Sequence, residues 1–113
     1  MKPIVLAALF VLAATAVSAH SRLDTTMPAD GAVLAQAPAQ IVLSFAQRLR
    51  LTRVRMIHDD GPALDLDLGG QKSFRTRFAL PLAGKGRGHY RIEWRGLAAD
   101  GHVMRGGFAF RVK

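Results

Sequence analysis

From His89 to Arg95 the chain alternates without a break: Tyr90, Ile92 and Trp94 fall on one side, His89, Arg91, Glu93 and Arg95 on the other. A period of two is the signature of a strand with one buried face, and it cannot be reconciled with the 3.6-residue period of a helix. The same pattern recurs along most of the chain. Ile41 to Phe45 is a short apolar run after Pro38, which predicts a largely buried strand. Leu51 to His58 sets Val54 and Met56 against Arg53 and Arg55, and Asp59-Asp60-Gly61-Pro62 then turns the chain. Leu64, Leu66 and Leu68 alternate with Asp65 and Asp67, and Phe74, Thr76 and Phe78 oppose Arg75 and Arg77. A final strand over Gly107 to Val112 turns Phe108, Phe110 and Val112 inward. With an opening stretch at Arg22 to Thr26, about seven short strands separated by Pro and Gly turns predict an all-β fold, a small antiparallel β-sandwich.

The first nineteen residues do not belong to that pattern. Lys2 gives a charged start, Ile4 to Ala14 an apolar run, and Val17-Ser18-Ala19 small residues at a cleavage position, so residues 1–19 read as a signal peptide. The apolar run is shorter than the ~18 residues that suggest a membrane span, and no other segment approaches that length. Cleavage leaves residues 20–113 as one small domain whose first residue is His20. The chain has no cysteine, which removes disulfides and thiolate metal sites but leaves the compartment to the leader alone.

The charge is strongly positive, with 16 Lys and Arg against 8 Asp and Glu. Such a balance suits nucleic acid, anionic lipid or an acidic partner. Export argues against nucleic acid, and the alternate placement of Arg53 and Arg55, Arg75 and Arg77, and Arg91 and Arg95 predicts solvent-facing sides of strands.

A free N-terminal histidine places an α-amine and an imidazole on one residue, able to chelate a metal without help from the fold. Asp100-Gly101-His102, between the two strongest strands, can present a carboxylate and an imidazole together, since residues two apart in extended backbone share a side and Gly101 allows a tight turn. An amine nitrogen, two imidazoles and a carboxylate form a mixed nitrogen and oxygen set that suits tetragonal Cu(II), which stands at the top of the divalent affinity order.

The residues then reach a resemblance that runs over the whole processed chain. His20 through Pro28-Ala29-Asp30-Gly31, Pro38 to Phe45, Tyr90 to Trp94, Ala99-Asp100-Gly101-His102 and Gly107-Phe108-Ala109-Phe110 resemble the CopC/PcoC family of periplasmic copper-binding, copper resistance proteins. The resemblance implies a Greek-key β-sandwich, Ig-like or cupredoxin-like, and a site for one Cu(II) per chain held by His20 (amine and imidazole), Asp100 and His102. It implies copper sequestration, resistance or delivery in the periplasm, by coordination and not by turnover. It also implies a CopD-like inner-membrane copper transporter as partner, which would be a separate protein because this chain carries no membrane helix after processing. The methionine-rich segment with which some members hold Cu(I) is missing: Met27, Met56 and Met104 are far apart, and Met56 shares a face with Val54 that reads as core.

A lytic mono-oxygenase-like copper enzyme also builds on an N-terminal histidine. The short chain, the lack of a flat aromatic platform and a coordination position filled by Asp100 weigh against it. His58 and His89 each stand alone on a strand and read as structural or surface imidazoles, and Tyr90 and Trp94 as core. Arg105 reads as solvated. Asp59, Asp60, Asp65 and Asp67 lack the spacing and the terminal Glu of a calcium loop.

Overall fold

A computed structural model describes residues 23–113. Residues 1–19, read from the sequence as a signal peptide, and His20 lie outside the described residues. Seven strands follow in order: β1 (Leu23–Met27), β2 (Val33–Leu34), β3 (Gln40–His58), β4 (Ala63–Asp65), β5 (Arg75–Pro81), β6 (Gly88–Ala98) and β7 (Val103–Val112). The all-β expectation holds, yet the seven are not the seven read from the sequence. The two runs at Ile41 and Leu51 fuse into one 19-residue strand, and the two-residue β2 makes up the number.

β3 organises the molecule because it belongs to both layers. Its first part pairs with β1 on one side, through Phe45, and with β5 on the other, through Ser44 and again at Leu49. Its second part, Leu49 to His58, pairs with β6 and β4. Between them Ala46, Gln47 and Arg48 are exposed while Phe45 and Leu49 are buried. This is the corner where the strand passes from one layer to the other. The sheet thus curls on itself, continuing from β3 through β6 and β7 to β2 at its edge. All pairings are antiparallel except β2 with β7, which is parallel; that edge departs from the purely antiparallel expectation.

The alternating residues meet between the layers. Ile41, Leu43 and Phe45 of β3, Phe78 and Leu80 of β5, Tyr90, Ile92 and Trp94 of β6 and Phe108 and Phe110 of β7 are all buried. Phe45 packs edge-on against Trp94 across the layers at a centroid distance of 4.9 Å, and Tyr90 stacks on Phe110 at 4.9 Å. Both are favourable aromatic geometries beyond simple burial. Tyr90 also ties down the loop before its own strand: its hydroxyl donates to the Gly86 carbonyl at 2.6 Å and accepts from the Lys85 amide at 2.8 Å.

Leu51 and Val54 are both buried although they are three residues apart, an odd spacing that strict alternation forbids. The register shift between Leu51 and Arg53 explains it: Leu51 faces Gly96 and Arg53 faces Arg95, so Thr52 is an extra residue, a β-bulge. Thr52 and Arg53 both turn to solvent, and the Thr52 hydroxyl donates to the Arg95 carbonyl at 3.1 Å. The Leu64–Leu68 alternation yields only the three-residue β4; Leu66 and Leu68 still pack on the core, from irregular backbone. The Pro28-Ala29-Asp30-Gly31 turn is structural. Its Asp30 carboxylate accepts from the Ala109 amide at 2.9 Å while the Gly31 amide donates to the Ala109 carbonyl, which pins the turn against β7.

Candidate metal centre

Asp100 and His102 sit in the turn that joins β6 to β7. The two strands pair from Gly88↔Val112 up to Leu97↔Val103, so the turn caps the most continuous ladder in the molecule. Two backbone bonds close it, from the Gly101 amide to the Ala98 carbonyl and from the Ala98 amide to the His102 carbonyl, each 2.9 Å. Gly101 has φ +94°, a conformation that residues with a Cβ rarely adopt, so the glycine is required by the turn.

The two side chains meet, as expected, but for a different reason. The backbone here is turned and not extended, so same-side alternation does not bring them together. Asp100 instead folds back over the turn: one carboxylate oxygen accepts from the His102 amide at 3.1 Å, and the other lies 2.9 Å from His102 Nδ1. An Asp bonding the amide two residues on is the local motif that suits aspartate to turns. The amide bond, and after it the bond to the imidazole, hold the Asp100 carboxyl below the usual carboxylate range. It is therefore an anionic oxygen donor over the whole neutral range. The side chains are open to solvent, 81% for His102 and 66% for Asp100.

This arrangement has two chemical consequences. With Nδ1 turned to the carboxylate, Nε2 of His102 remains exposed, so the imidazole offers a nitrogen lone pair to an incoming ion. Alternatively, an ion that replaces the proton between Nδ1 and the carboxylate oxygen would find the two 2.9 Å apart, the spacing of neighbouring corners of a square of donors each about 2.0–2.1 Å from a divalent first-row ion; the two modes exclude each other. Two donors do not hold such an ion by themselves, and among the described residues no third His, Asp or Glu joins them.

The other candidates lie apart. His58 is mostly buried, with Nε2 2.9 Å from the Arg87 carbonyl and its ring tilted on Tyr90 at 4.8 Å. His89 is exposed, and its backbone amide donates to Asp59. Tyr90, opposite His58 in the ladder, is eight residues down β6 from Ala98, roughly 26 Å along the strand. Arg105 faces Arg95 across the ladder and is exposed. Asp65 pairs with Arg53 at 3.0 Å and Asp67 accepts from the Gly69 amide at 2.8 Å, so the acidic residues near β4 do not converge on a calcium loop. Met56 is fully buried, Met104 is half-buried against the core, and Met27 is exposed on β1. Among the described residues the methionines form no cluster. The sequence left unseen that Asp100 is bonded to both the amide and the ring of His102; the Asp-Gly-His spacing hinted at a turn but not at the direction of its side chains.

A small all-β domain that presents a carboxylate and an imidazole on an open hairpin turn is the class defined by this fold and site. The family model described as the CopC domain matches residues 23–113, and the chain belongs to the CopC family of copper resistance proteins. It is 27% identical over 112 residues to copper resistance protein C of Pseudomonas syringae pv. tomato, covering 91% of this chain and 88% of the relative. It is 30% identical over 111 residues to copper resistance protein C of Xanthomonas campestris pv. juglandis, covering 90% and 87%. Among solved structures, CopC from Methylosinus trichosporium OB3b shares the fold with a TM-score of 0.68 at 22% identity, over 83% of this chain and 94% of that one. PcoC, a methionine-rich copper resistance protein from Escherichia coli, does so with a TM-score of 0.59 at 22% identity, over 84% and 100%.

Proposed function

We propose that this chain is an exported, periplasmic protein that binds one Cu(II) through the α-amine and imidazole of a processed N-terminal His20, together with Asp100 and His102, and holds it for sequestration, resistance or delivery. The observation that carries this reading is the Asp100–His102 pair, a carboxylate kept ionised beside an imidazole on an exposed turn. The course of β1 supports it. β1 runs antiparallel to β3 with Leu23 opposite Phe45, and Ala98 at the base of the turn lies opposite Leu49. The N-terminal end of β1 and the metal-site turn therefore border the same corner of β3.

The donor set favours the divalent ion. An anionic oxygen and nitrogen ligands suit Cu(II), whereas thioethers that would retain Cu(I) are buried or dispersed. The role is coordination without turnover, and a separate CopD-like inner-membrane copper protein is the natural recipient or donor. The test is the processed protein, with His20 verified as its first residue by mass spectrometry, loaded with one equivalent of Cu(II) and followed by electron paramagnetic resonance. Nitrogen couplings should be lost in part in His20→Ala and again in His102→Ala. A spectrum untouched by both changes removes the proposal, and tight Cu(I) binding in a chelator competition removes its oxidation-state preference.

A further inference from the structure

The arginines that look scattered in the sequence converge in space. Arg53 of β3 stands directly opposite Arg95 of β6, and Arg95 stands directly opposite Arg105 of β7. Residues opposite one another in a ladder share a face, so three guanidinium groups form one row across three neighbouring strands, with about 4.8 Å between strands. Arg53 is paired with Asp65. The nearby Glu93 is taken up by Arg55 at 3.0 Å and Arg91 at 3.3 Å. Among the described residues no carboxylate lies within ion-pair distance of Arg95 or Arg105. Like charges directly opposite one another destabilise a sheet, and the Thr52 bulge is what turns Arg53 outward into the row. A surface indifferent to charge would not need that arrangement.

The same face is concave. The row borders a cavity of about 590 Å³ whose β7 side is lined by the small residues Gly107 and Ala109; the two carboxylates on its wall are engaged, Glu93 by Arg55 and Arg91 and Asp30 by the Ala109 amide. Gly107 cannot carry even a methyl group, since a Cβ there would lie 2.7 Å from the Ile92 carbonyl oxygen. The result is a trough with arginines along it, two residues of β6 and β7 below the Leu97↔Val103 pair, roughly 7 Å from the base of the Asp100–His102 turn.

We propose that this outer face of β3, β6 and β7 is a docking surface for an acidic polypeptide segment of another protein, with Arg53, Arg95 and Arg105 engaging its carboxylates. Guanidinium forks match carboxylates with paired, charge-assisted bonds. A polypeptide fills a trough, whereas a flat bilayer surface leaves it empty. Met27, Val33 and Leu64, three of the four exposed large apolar side chains, lie on other strands, and only Val103 at the turn belongs to this face. The face thus lacks the row of apolar anchors with which surfaces enter a membrane. Docking here leaves the Asp100–His102 turn at the rim of the interface, within reach of whatever the partner carries.

The test uses the processed metal-free protein, so that it succeeds or fails independently of the copper site. Isotope-labelled protein is titrated with decaglutamate, and in parallel with phosphatidylglycerol vesicles and inorganic phosphate. Amide shifts with decaglutamate should centre on Arg53, Arg95, Arg105 and Gly107, and binding should weaken as salt is raised. The double variant R95Q/R105Q should bind about tenfold more weakly and melt no lower than the parent, because like-charge repulsion is relieved, while R77Q, on β5 and outside this face, should bind as the parent does. Shifts dispersed over the whole surface, or undiminished affinity in the folded double variant, overturn the proposal. So does a footprint on these residues produced by the vesicles or by phosphate but not by the peptide; in the parent protein this outcome needs no variant to fold.

Discussion

Gly96 and Leu49 should be strongly coupled, and a double-mutant cycle measures how strongly. Leu49 is 1% exposed at the corner of β3, and a Cβ on Gly96 would stand 2.7 Å from its Cδ1 and 3.2 Å from the Arg50 carbonyl oxygen. The Leu49 methyl would have to retreat by most of an ångström and has no solvent to retreat into. Gly96→Ala should therefore cost about 1–3 kcal/mol as overpacking. Leu49→Ala alone should cost about 2–5 kcal/mol through lost burial and a cavity. In the double variant the colliding atom is gone and the new methyl enters the vacated space, refilling about 0.8 kcal/mol of burial. The pair should then cost no more than Leu49→Ala by itself, leaving a coupling of roughly 1–3 kcal/mol. A domain of this size has about 5–14 kcal/mol of stability, so all four proteins stay folded when the parent stands well above about 5 kcal/mol. Urea denaturation followed by the fluorescence of Trp94, the single tryptophan and 4% exposed, reads each corner of the cycle. A Gly96→Ala protein as stable as the parent, or costs that add to within about 0.5 kcal/mol, would refute the packing argument.

Tyr90→Phe removes the hydroxyl that both donates to Gly86 and accepts from Lys85; we expect a loss of about 1–2 kcal/mol, seen as a lower melting temperature, with Cu(II) affinity unchanged because the turn lies at the far end of β6. The Asp100 carboxyl, followed by its carbon resonance in a pH titration, should have its midpoint below the ~3.9 of an unstructured peptide, and His102→Ala should raise that midpoint part of the way, since the amide bond persists. The sign follows from linkage: a carboxyl with a lowered pKa in the folded state helps the turn above its unfolded-state pKa and loses that help as pH falls through the folded one; a midpoint at or above the peptide value would be the contrary result. Cu(II) affinity of the processed protein should fall with decreasing pH, beginning near the ~7.7–8.0 pKa of an α-amine. One extra residue ahead of His20 should weaken binding sharply at every pH, and equal affinity in that extended protein would show that the amine is not a ligand.

The fold was legible wherever burial imposed alternation. Tyr90, Ile92 and Trp94, and Phe108 and Phe110, read as inward-facing from the sequence and are buried in the structure, because a period-two pattern over a one-sided strand has a single solution. It was not legible where the chain breaks its own period. Nothing in Phe45 to Leu49 announces that two apolar runs form one strand rounding a corner, since three exposed residues between two buried ones read equally well as a loop. The extra Thr52 hides in the same way. The run Leu51-Thr52-Arg53-Val54 has no turn residue, and the bulge exists only relative to the partner strand.

The same distinction between local and cross-strand information divides the functional surface. Asp100, Gly101 and His102 are contiguous, so their meeting is decided within one turn, and residue identity suffices to suggest it even though the geometry is turned and not extended. Arg53, Arg95 and Arg105 are brought into line by two independent registers and one bulge. Each of them, taken singly, is an ordinary solvated arginine on the outer side of a strand. Charge repulsion makes their alignment costly, and a sheet free to choose would interleave acids between them, as it does one step away where Glu93 stands between Arg55 and Arg91. The contrast between these adjacent rows, one neutralised and one in which Arg53 alone has an acidic partner, beside the Asp100–His102 turn, is what separates a surface that merely keeps the protein soluble from one arranged to receive an acidic partner.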